Sequence, residues 1–221
     1  VYSLLLLHFL LPDQSLAQAK PEFRGVWVAT VDNIDWPSKG NYNSDSQKVE
    51  FIRILDMHQR NGMNAMIVQI RPVTDAFYPS PYEPWSEFLT GRQGRPPMPY
   101  YDPLEFMISE THKRGMEFHA WMNPYRAVFN VSTSSIAPNH ITRIHPEWFL
   151  TYGDRRYFDP GNKEVQQYVT NVVKDVVSRY PVDAIHFDDY FYPYRIPGKE
   201  FPDNASYKQL GNGMSKEDWR R

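Results

Sequence analysis

Two adjacent carboxylates, Asp188 and Asp189, close the apolar segment 185–187. Side chains alternate along a strand, so His186 and Asp188 should share one face while Asp189 turns away. Acids at the end of an apolar strand are costly unless they are hydrogen-bonded or paired, and their mutual repulsion raises one pKa. Such a placement is typical of functional sites, and we take Asp188 and Asp189 as candidate catalytic residues. A purely structural pair, with one Asp capping a turn and the other salt-bridged, is the alternative.

Aromatic and polar side chains gather near the same strand end and near the ends of the other predicted strands. Sugar rings stack on flat aromatic side chains, and their hydroxyls bind charged and amide groups. Trp36 belongs to this aromatic group by its position near a strand end. The candidate substrate-binding residues are Arg24, Trp27, Gln69, Arg71, His119, Trp121, Asn123, Tyr125, Arg126, His186, Tyr190 and Tyr192.

Glycoside hydrolysis needs two carboxyl groups, ~5–5.5 Å apart for retention and ~6.5–9.5 Å apart for inversion. Neighbours on a strand point apart, so Asp188 and Asp189 do not form that pair. The second acid is therefore expected in a loop or outside this chain. The loop candidates are Asp32, Asp35, Asp75 and Glu83. Asp159 fits better in the turn that starts a helix.

Four strand-then-helix units position these residues. Long segments follow each predicted strand, whereas only a few residues follow each helix. Alternating units of this kind predict an α/β fold with parallel strands, and the long connections predict a (β/α)₈ TIM barrel with its site at the carboxyl ends of the strands. A doubly wound sheet is the other architecture, but no Gly-rich phosphate turn follows a strand. A whole barrel takes about 250 residues, so this chain holds the first four or so units. The predicted strands are 23–30, 65–70, 117–122 and 182–187.

Three helices separate these strands. Ser44 and Gln47 predict a capping box at the start of the first helix. Asp102 followed by Pro103 predicts the start of the second. An apolar stripe at helical spacing predicts the third over 163–180.

Composition excludes several classes of protein. Among 221 residues, 41% are hydrophobic and 23% charged, and the net charge is -2, so a nucleic-acid partner is not expected. The chain has no cysteine, which excludes disulfides, cysteine–zinc sites, thiol nucleophiles and a lipid-anchoring cysteine. Aromatic residues make up 15% of the chain, and 19 prolines accompany them, which suits long ordered loops with flat binding surfaces. No cofactor is expected.

The two ends indicate export and truncation. Residues 4–12 are mostly apolar but too few for a membrane span, and Ala17-Gln18-Ala19 follows as a cleavage pattern. Residues 1–19 are therefore predicted to be a secretory signal without its basic start. Residues 20–221 are predicted to be the N-terminal part of the barrel, truncated at the C-terminus. The expected location is secreted or periplasmic, at the cell envelope, with no stable membrane span after cleavage.

Four segments in order resemble the motifs of the glycosyl-hydrolase-like family 10 proteins of bacterial envelopes. The segments are 23–30, 64–79, 119–126 and 185–193. The resemblance implies a (β/α)₈ barrel and activity on bacterial glycan, including peptidoglycan strands stripped of their peptides. Related barrel glycosidases have an acid at the end of the fourth strand in a position like Asp188, which favours Asp188 over Asp189. Some relatives are lipoproteins, whereas this chain lacks the cysteine that bears the lipid.

Two other functions compete with a glycosidase. His186, Asp188 and Asp189 could be metal ligands of a polysaccharide deacetylase, since His-x-Asp on one strand face is compatible with a metal. A non-catalytic glycan-binding barrel would keep the aromatics and lose only the chemistry of the acids. A second acid facing Asp188 would favour the glycosidase, and a metal at His186 the deacetylase.

Overall fold

A computed structural model describes residues 22–188 and 191–221. The predicted secretory signal, Asp189 and Tyr190 lie outside the described residues. A parallel four-stranded sheet organises the chain, and its strands follow one another in sequence order. Its strands are β1 (Gly25–Val28), β2 (Ala65–Arg71), β3 (Glu117–Met122) and, after three further strands, β7 (Ala184–His186). This is the arrangement of the first four units of a (β/α)₈ barrel, as predicted.

The sheet has two faces of different character. Its outer face packs against the long helices α1 (Ser44–Arg60), α3 (Pro103–His112) and α5 (Lys163–Arg179). Val68 of β2 and Phe118 of β3 belong to this apolar core. The inner face carries the alternate residues, among them Trp27, Trp121 and His186, whose rings contact one another.

Helix starts follow local side-chain chemistry. Asp102 accepts hydrogen bonds from Leu104 N and Glu105 N and caps α3, as predicted. The predicted capping box at Ser44 is wrong, because Asn43 caps α1 by accepting from Ser46 N. Gln47 instead turns inward, where its amide donates to the carbonyls of Asn41 and Leu89.

A second, antiparallel sheet lies in the long segment after β3, and the sequence did not predict it. Its strands are β4 (Arg126–Val128), β5 (Phe149–Tyr152) and β6 (Arg155–Phe158). Their order in the sheet is β4-β6-β5. Gly153, with φ of 66°, makes the tight turn between β5 and β6. Trp148 and Phe158 pack with Val165 in a small core of their own.

Short helices complete the described structure. They are α2 (Glu87–Thr90), α4 (Ile141–Ile144), α6 (Asn204–Leu210), α7 (Lys216–Trp219) and the 3₁₀ turns Val31–Asn33 and Pro146–Trp148. Over 22–188 and 191–221, the helices are too short or too polar to cross a bilayer.

Candidate active site

Asp188 lies just beyond the carboxyl end of β7 and is only 5% exposed. Its Oδ2 accepts a hydrogen bond from Trp121 Nε1 at 3.2 Å. Asn123 Nδ2 donates to both carboxylate oxygens, at 3.1 and 3.2 Å. Hydrogen bonds to an ionised acceptor are the stronger kind, so these donors orient the carboxylate and stabilise its charge. Both donors come from the neighbouring strand β3 or the residue just after it.

The amide of Asn123 has only one orientation compatible with its contacts. Its Oδ1 accepts from Arg126 N at 2.7 Å, and a backbone N–H can only donate. Nδ2 must therefore face Asp188. The backbone of Asn123 is also fixed, because its N–H donates to Arg71 O at 2.9 Å and extends the parallel ladder.

Arg71 and Glu83 form a buried ion pair behind Asn123. The guanidinium donates to Glu83 through Nε at 2.7 Å and Nη2 at 2.5 Å, and through Nη1 to Asn123 O at 2.5 Å. Tyr168 OH also donates to Glu83, at 3.4 Å. Burial alone would lower the pKa of Arg71, but the adjacent Glu83 carboxylate outweighs it and raises that pKa. Arg71 is thus committed to protein partners and fixes the backbone that presents Asn123.

Gln69 and Arg126 are likewise buried and bonded to the backbone. Gln69 Oε1 accepts from Thr30 N at 3.2 Å and Val31 N at 3.0 Å, which fixes the turn after β1. Arg126 donates to Pro72 O through Nε at 3.0 Å and Nη2 at 2.9 Å. These two side chains lie at the expected edge of the sheet, but their contacts hold the backbone of the neighbouring loops in place.

An aromatic cluster lies on the inner face beside Asp188. The ring of Trp27 is 5.1 Å from that of Trp121 and 5.0 Å from that of His186. Trp27 is 52% exposed, which leaves one flat surface open. Burial lowers the pKa of His186, although Asp188 opposes the shift, so the environment favours the neutral ring. Its Nε2 is buried and has no hydrogen-bond partner within 22–188 and 191–221.

Three predicted aromatic or basic residues lie elsewhere. Arg24 precedes β1, so it lies at the amino end of the sheet, where its Nε donates to Gly62 O at 2.6 Å. His119 stacks on Phe23, with ring centroids 5.3 Å apart, earlier on β3 than the residues around Asp188. Trp36 is fully buried in the outer core, not at a binding surface. The structure does not bring these side chains to Asp188.

The two remaining tyrosines face the C-terminal segment. Tyr125 contacts Phe191, with ring centroids 6.2 Å apart, and lines a cavity of about 620 Å³ together with Trp219. Tyr192 packs on Phe201 at 5.2 Å and under the guanidinium of Arg220 at 5.5 Å. Burial raises the pKa of Tyr192, and the nearby Asp203 adds to the shift. Tyr192 also lines that cavity, and both tyrosines are half-buried.

The predicted loop acids have structural partners. Asp32 pairs with exposed Lys39 at 3.4 Å, and Asp35 accepts from Ala29 N at 2.8 Å. Glu83 is bound by Arg71. Asp75 is fully buried, and burial raises its pKa to about 7. The second catalytic acid is not identified among these four.

Asp159 occupies the turn predicted for it. Its Oδ1 accepts from Gly161 N at 3.0 Å, and Ser206 Oγ donates to its other oxygen. Asn162 then caps α5.

Within residues 22–188 and 191–221, no group of three or more His, Cys, Asp or Glu side chains could hold a metal ion. His186 and Asp188 share the inner face, and Asp189, the third ligand of the deacetylase alternative, lies outside the described residues.

Sequence comparison relates the chain to known proteins. The family model described as Glycosyl hydrolase-like 10 matches residues 22–221. The chain is 51% identical over 213 residues to "Glycosyl hydrolase YngK" of Bacillus subtilis (strain 168), covering 95% of this chain and 41% of that protein. It is 42% identical over 227 residues to "Glycosyl hydrolase DigH" of Escherichia coli (strain K12), covering 95% and 51%. The chain thus spans about half of the length of these relatives.

Two solved structures match parts of the chain. The noncanonic maltogenic alpha-amylase AmyB from Thermotoga neapolitana matches with a TM-score of 0.50 and 16% identity, over 86% of this chain and 43% of that one. The alpha-galactosidase from Lactobacillus brevis matches with a TM-score of 0.48 and 17% identity, over 76% and 20%. The amylase likeness agrees with a partial (β/α)₈ barrel. The family match, over residues 22–221, includes every residue that the structure describes. The chain belongs to the glycosyl hydrolase-like 10 family.

Proposed function

We propose that this chain contributes one half of the active site of a glycoside hydrolase, with Asp188 as a catalytic carboxylate. The observation that carries the proposal is the placement of Asp188 at the end of the fourth barrel strand, buried and held by Trp121 Nε1 and Asn123 Nδ2. A carboxylate fixed in this way supplies one of the two carboxyl groups that cleavage of a glycosidic bond requires. The family match supports the same reaction class.

Asp188 would act as nucleophile or as general base. In either role it must stay ionised until the transition state develops, and its donors are neutral N–H groups that stabilise the negative charge without removing it. Trp27 would stack on the apolar face of a sugar ring, and His186 would orient the cluster as a neutral ring. The second acid would come from outside the four loop candidates.

The proposed substrate is a bacterial cell-envelope glycan, such as peptidoglycan strands without their peptides. The motif resemblance and the exposed ring of Trp27 support a sugar polymer as substrate. Export to the periplasm or beyond is proposed from the apolar segment 4–12 and the Ala17-Gln18-Ala19 pattern.

The test is Asp188→Asn in the full-length protein. An Asn side chain would place an NH₂ group against one of the donors and cannot serve as nucleophile or base. We expect release of reducing ends from peptide-free glycan strands to fall at least about 10³-fold while binding persists, since loss of a catalytic group typically costs this much. Asp45→Asn, an exposed acid in the first turn of α1, is the matched control and should cleave normally.

Three outcomes would contradict the proposal. Unchanged turnover in Asp188→Asn would remove Asp188 from the chemistry. Tight glycan binding without cleavage by the unmodified protein would favour the non-catalytic barrel. Release of acetate that a chelator abolishes would favour the deacetylase.

A further inference from the structure

The loops after β2 and β3 form two adjoining cavities at the carboxyl edge of the sheet. One, of about 320 Å³, lies between residues 92–95 and 135–139. The other, of about 340 Å³, lies between β4 and the segment 136–143. Ile136 lines both, so the two cavities adjoin at this residue. Since both loops leave the carboxyl ends of parallel strands, this surface lies on the same edge as Asp188.

Four arginines line these cavities, and we call them the arginine cluster. Arg92 and Arg95 line the first cavity, and Arg143 and Arg156 the second. Among the described residues, no Asp or Glu lines either cavity.

The arginines of the cluster lack carboxylate partners within 22–188 and 191–221. Arg143 donates to a carbonyl, Ile136 O, at 3.3 Å. By contrast, Arg114 and Arg179 each pair with a carboxylate on the outer side of the fold. The chain as a whole has a net charge of -2, so the cluster is a local concentration of positive charge.

The positive charge affects the neighbouring side chain of His140. His140 is buried next to the second cavity, and its Nε2 contacts Thr74 Oγ1 at 2.6 Å. Burial lowers its pKa to about 4, and the charges of Arg71, Arg143 and Arg156 add to that shift. Two arginines of the cluster therefore act on this loop residue together with Arg71.

The base of the first cavity is built from a fixed hydrogen-bond network. Gln93 N donates to Ser135 Oγ at 2.8 Å, and Gln93 Oε1 accepts from Ala137 N at 2.9 Å. Glu87 also faces this segment, but its carboxylate accepts from both Ser135 N and Ser135 Oγ, at 2.7 and 3.0 Å. The loops are thus joined before any ligand binds, which reduces the ordering cost of binding.

We propose that the arginine cluster binds anionic substituents, carboxylate or phosphate, on the glycan that the Asp188 site cleaves. Arginine presents a planar fork that matches carboxylate and phosphate oxygens, and two cavities side by side suit successive charged sugars of a polymer. This inference rests on the proposed glycosidase function for the identity of the polymer, but the binding of an anionic glycan is measured without turnover.

The experiment compares two double variants of the full-length protein. Arg92→Gln with Arg95→Gln removes half of the cluster. Arg53→Gln with Arg60→Gln removes the same charge from exposed positions on α1 and is the matched control. The probe is peptide-free peptidoglycan strands, whose sugars bear carboxylates, and the same strands after chemical reduction of those carboxylates to alcohols. Binding is measured calorimetrically in the Asp188→Asn background, so that the probe stays intact.

We expect the cluster variant to bind the native strands about ten-fold or more weakly and the control variant to bind them normally. The reduced strands should bind both variants equally. Weakening should shrink as salt rises, because exposed charges are screened over ~10 Å at 0.1 M. If the cluster variant still binds the reduced strands more weakly than the control does, and inorganic phosphate abolishes that difference by competition, the anion is a phosphate carried by the strands.

Equal affinity of the cluster variant and the control for native strands at low salt would overturn the proposal. This outcome would leave the proposal that Asp188 cleaves glycan unchanged. Each variant is first checked for an unchanged melting temperature. If the unmodified protein never cleaves glycan, the charge-dependent binding still stands or falls by its own measurement.

Discussion

Substitution of Asp75 by Asn should change how the stability of the protein depends on pH. Asp75 is fully buried in the loop after β2. Its Oδ2 accepts from Gln93 Nε2 at 3.2 Å and Glu87 N at 3.4 Å, whereas Oδ1 is buried without a partner among the described residues. Burial raises the pKa from 3.8 to about 7, and the neighbouring carboxylates Glu87 and Glu83 add to the shift.

The magnitude follows from proton linkage. A raised pKa means that the folded protein resists ionisation of Asp75. The contribution of neutral Asp75 to the free energy of unfolding is therefore fully present below pH ~4 and is lost as the pH rises to about 7. At 1.36 kcal/mol per pKa unit, the free energy of unfolding is lowered at this site by about 1.6 kcal/mol at pH 5 and about 4 kcal/mol at pH 8. The wild-type protein should therefore lose about 3 kcal/mol between these pH values at this site. Asp75→Asn should show no such loss, because the amide does not ionise and any destabilisation that it causes is the same at both pH values.

Urea unfolding of the full-length protein, followed by tryptophan fluorescence at pH 5 and pH 8, measures this difference. Asp45→Asn, exposed in the first turn of α1, is the control for removing one carboxylate. We expect the stability of Asp75→Asn relative to wild type to improve by about 3 kcal/mol from pH 5 to pH 8. Parallel pH profiles for the two proteins would refute the reasoning, because they would mean that Asp75 ionises normally in the fold.

Two further substitutions test the loop and the site. His140 caps α4, and burial lowers its pKa to about 4. The free energy of unfolding should therefore fall by up to about 3 kcal/mol as the pH drops from 6.5 to 4. His140→Asn keeps a capping side chain, and urea unfolding of this variant should show no such fall. Trp121→Phe keeps a ring against Trp27 but removes the N–H that reaches Asp188, so kcat on peptide-free strands should fall about ten-fold with KM unchanged. A change in KM alone would show that the indole N–H does not act on the carboxylate.

The sheet was predictable because its strands are apolar runs with turn signals on either side. β2 is buried along its whole length, as expected for a strand covered on both faces. The β4-β6-β5 sheet could not be predicted from the sequence. Its strands have only three or four residues and together mix arginines with aromatic residues. Alternation over so few residues does not distinguish a strand from a loop.

The candidate site was predictable in place but not in detail. Chain order put Trp121, Asn123 and Asp188 at the ends of adjacent parallel strands, and they meet there. Arg71 sits at the same edge, yet its guanidinium faces Glu83. A polar residue at a strand end has the same sequence signature whether it faces a cleft or a loop carbonyl, and only the long-range pairing decides between them. The prediction that Arg24 binds substrate is wrong, because Arg24 comes before its strand rather than after it.

The supports of Asp188 belong to the sheet, whereas the arginine cluster belongs to the loops. Trp121 is a strand residue, and Asn123 continues the ladder through its bond to Arg71 O. Changes in the loops should therefore alter affinity without moving the carboxylate. Combining Trp121→Phe with Arg92→Gln and Arg95→Gln should give losses in kcat/KM whose free energies add within ~0.5 kcal/mol, as for independent sites. A large coupling would instead mean that the loops help to position Asp188, and the division between sheet and loops would fail.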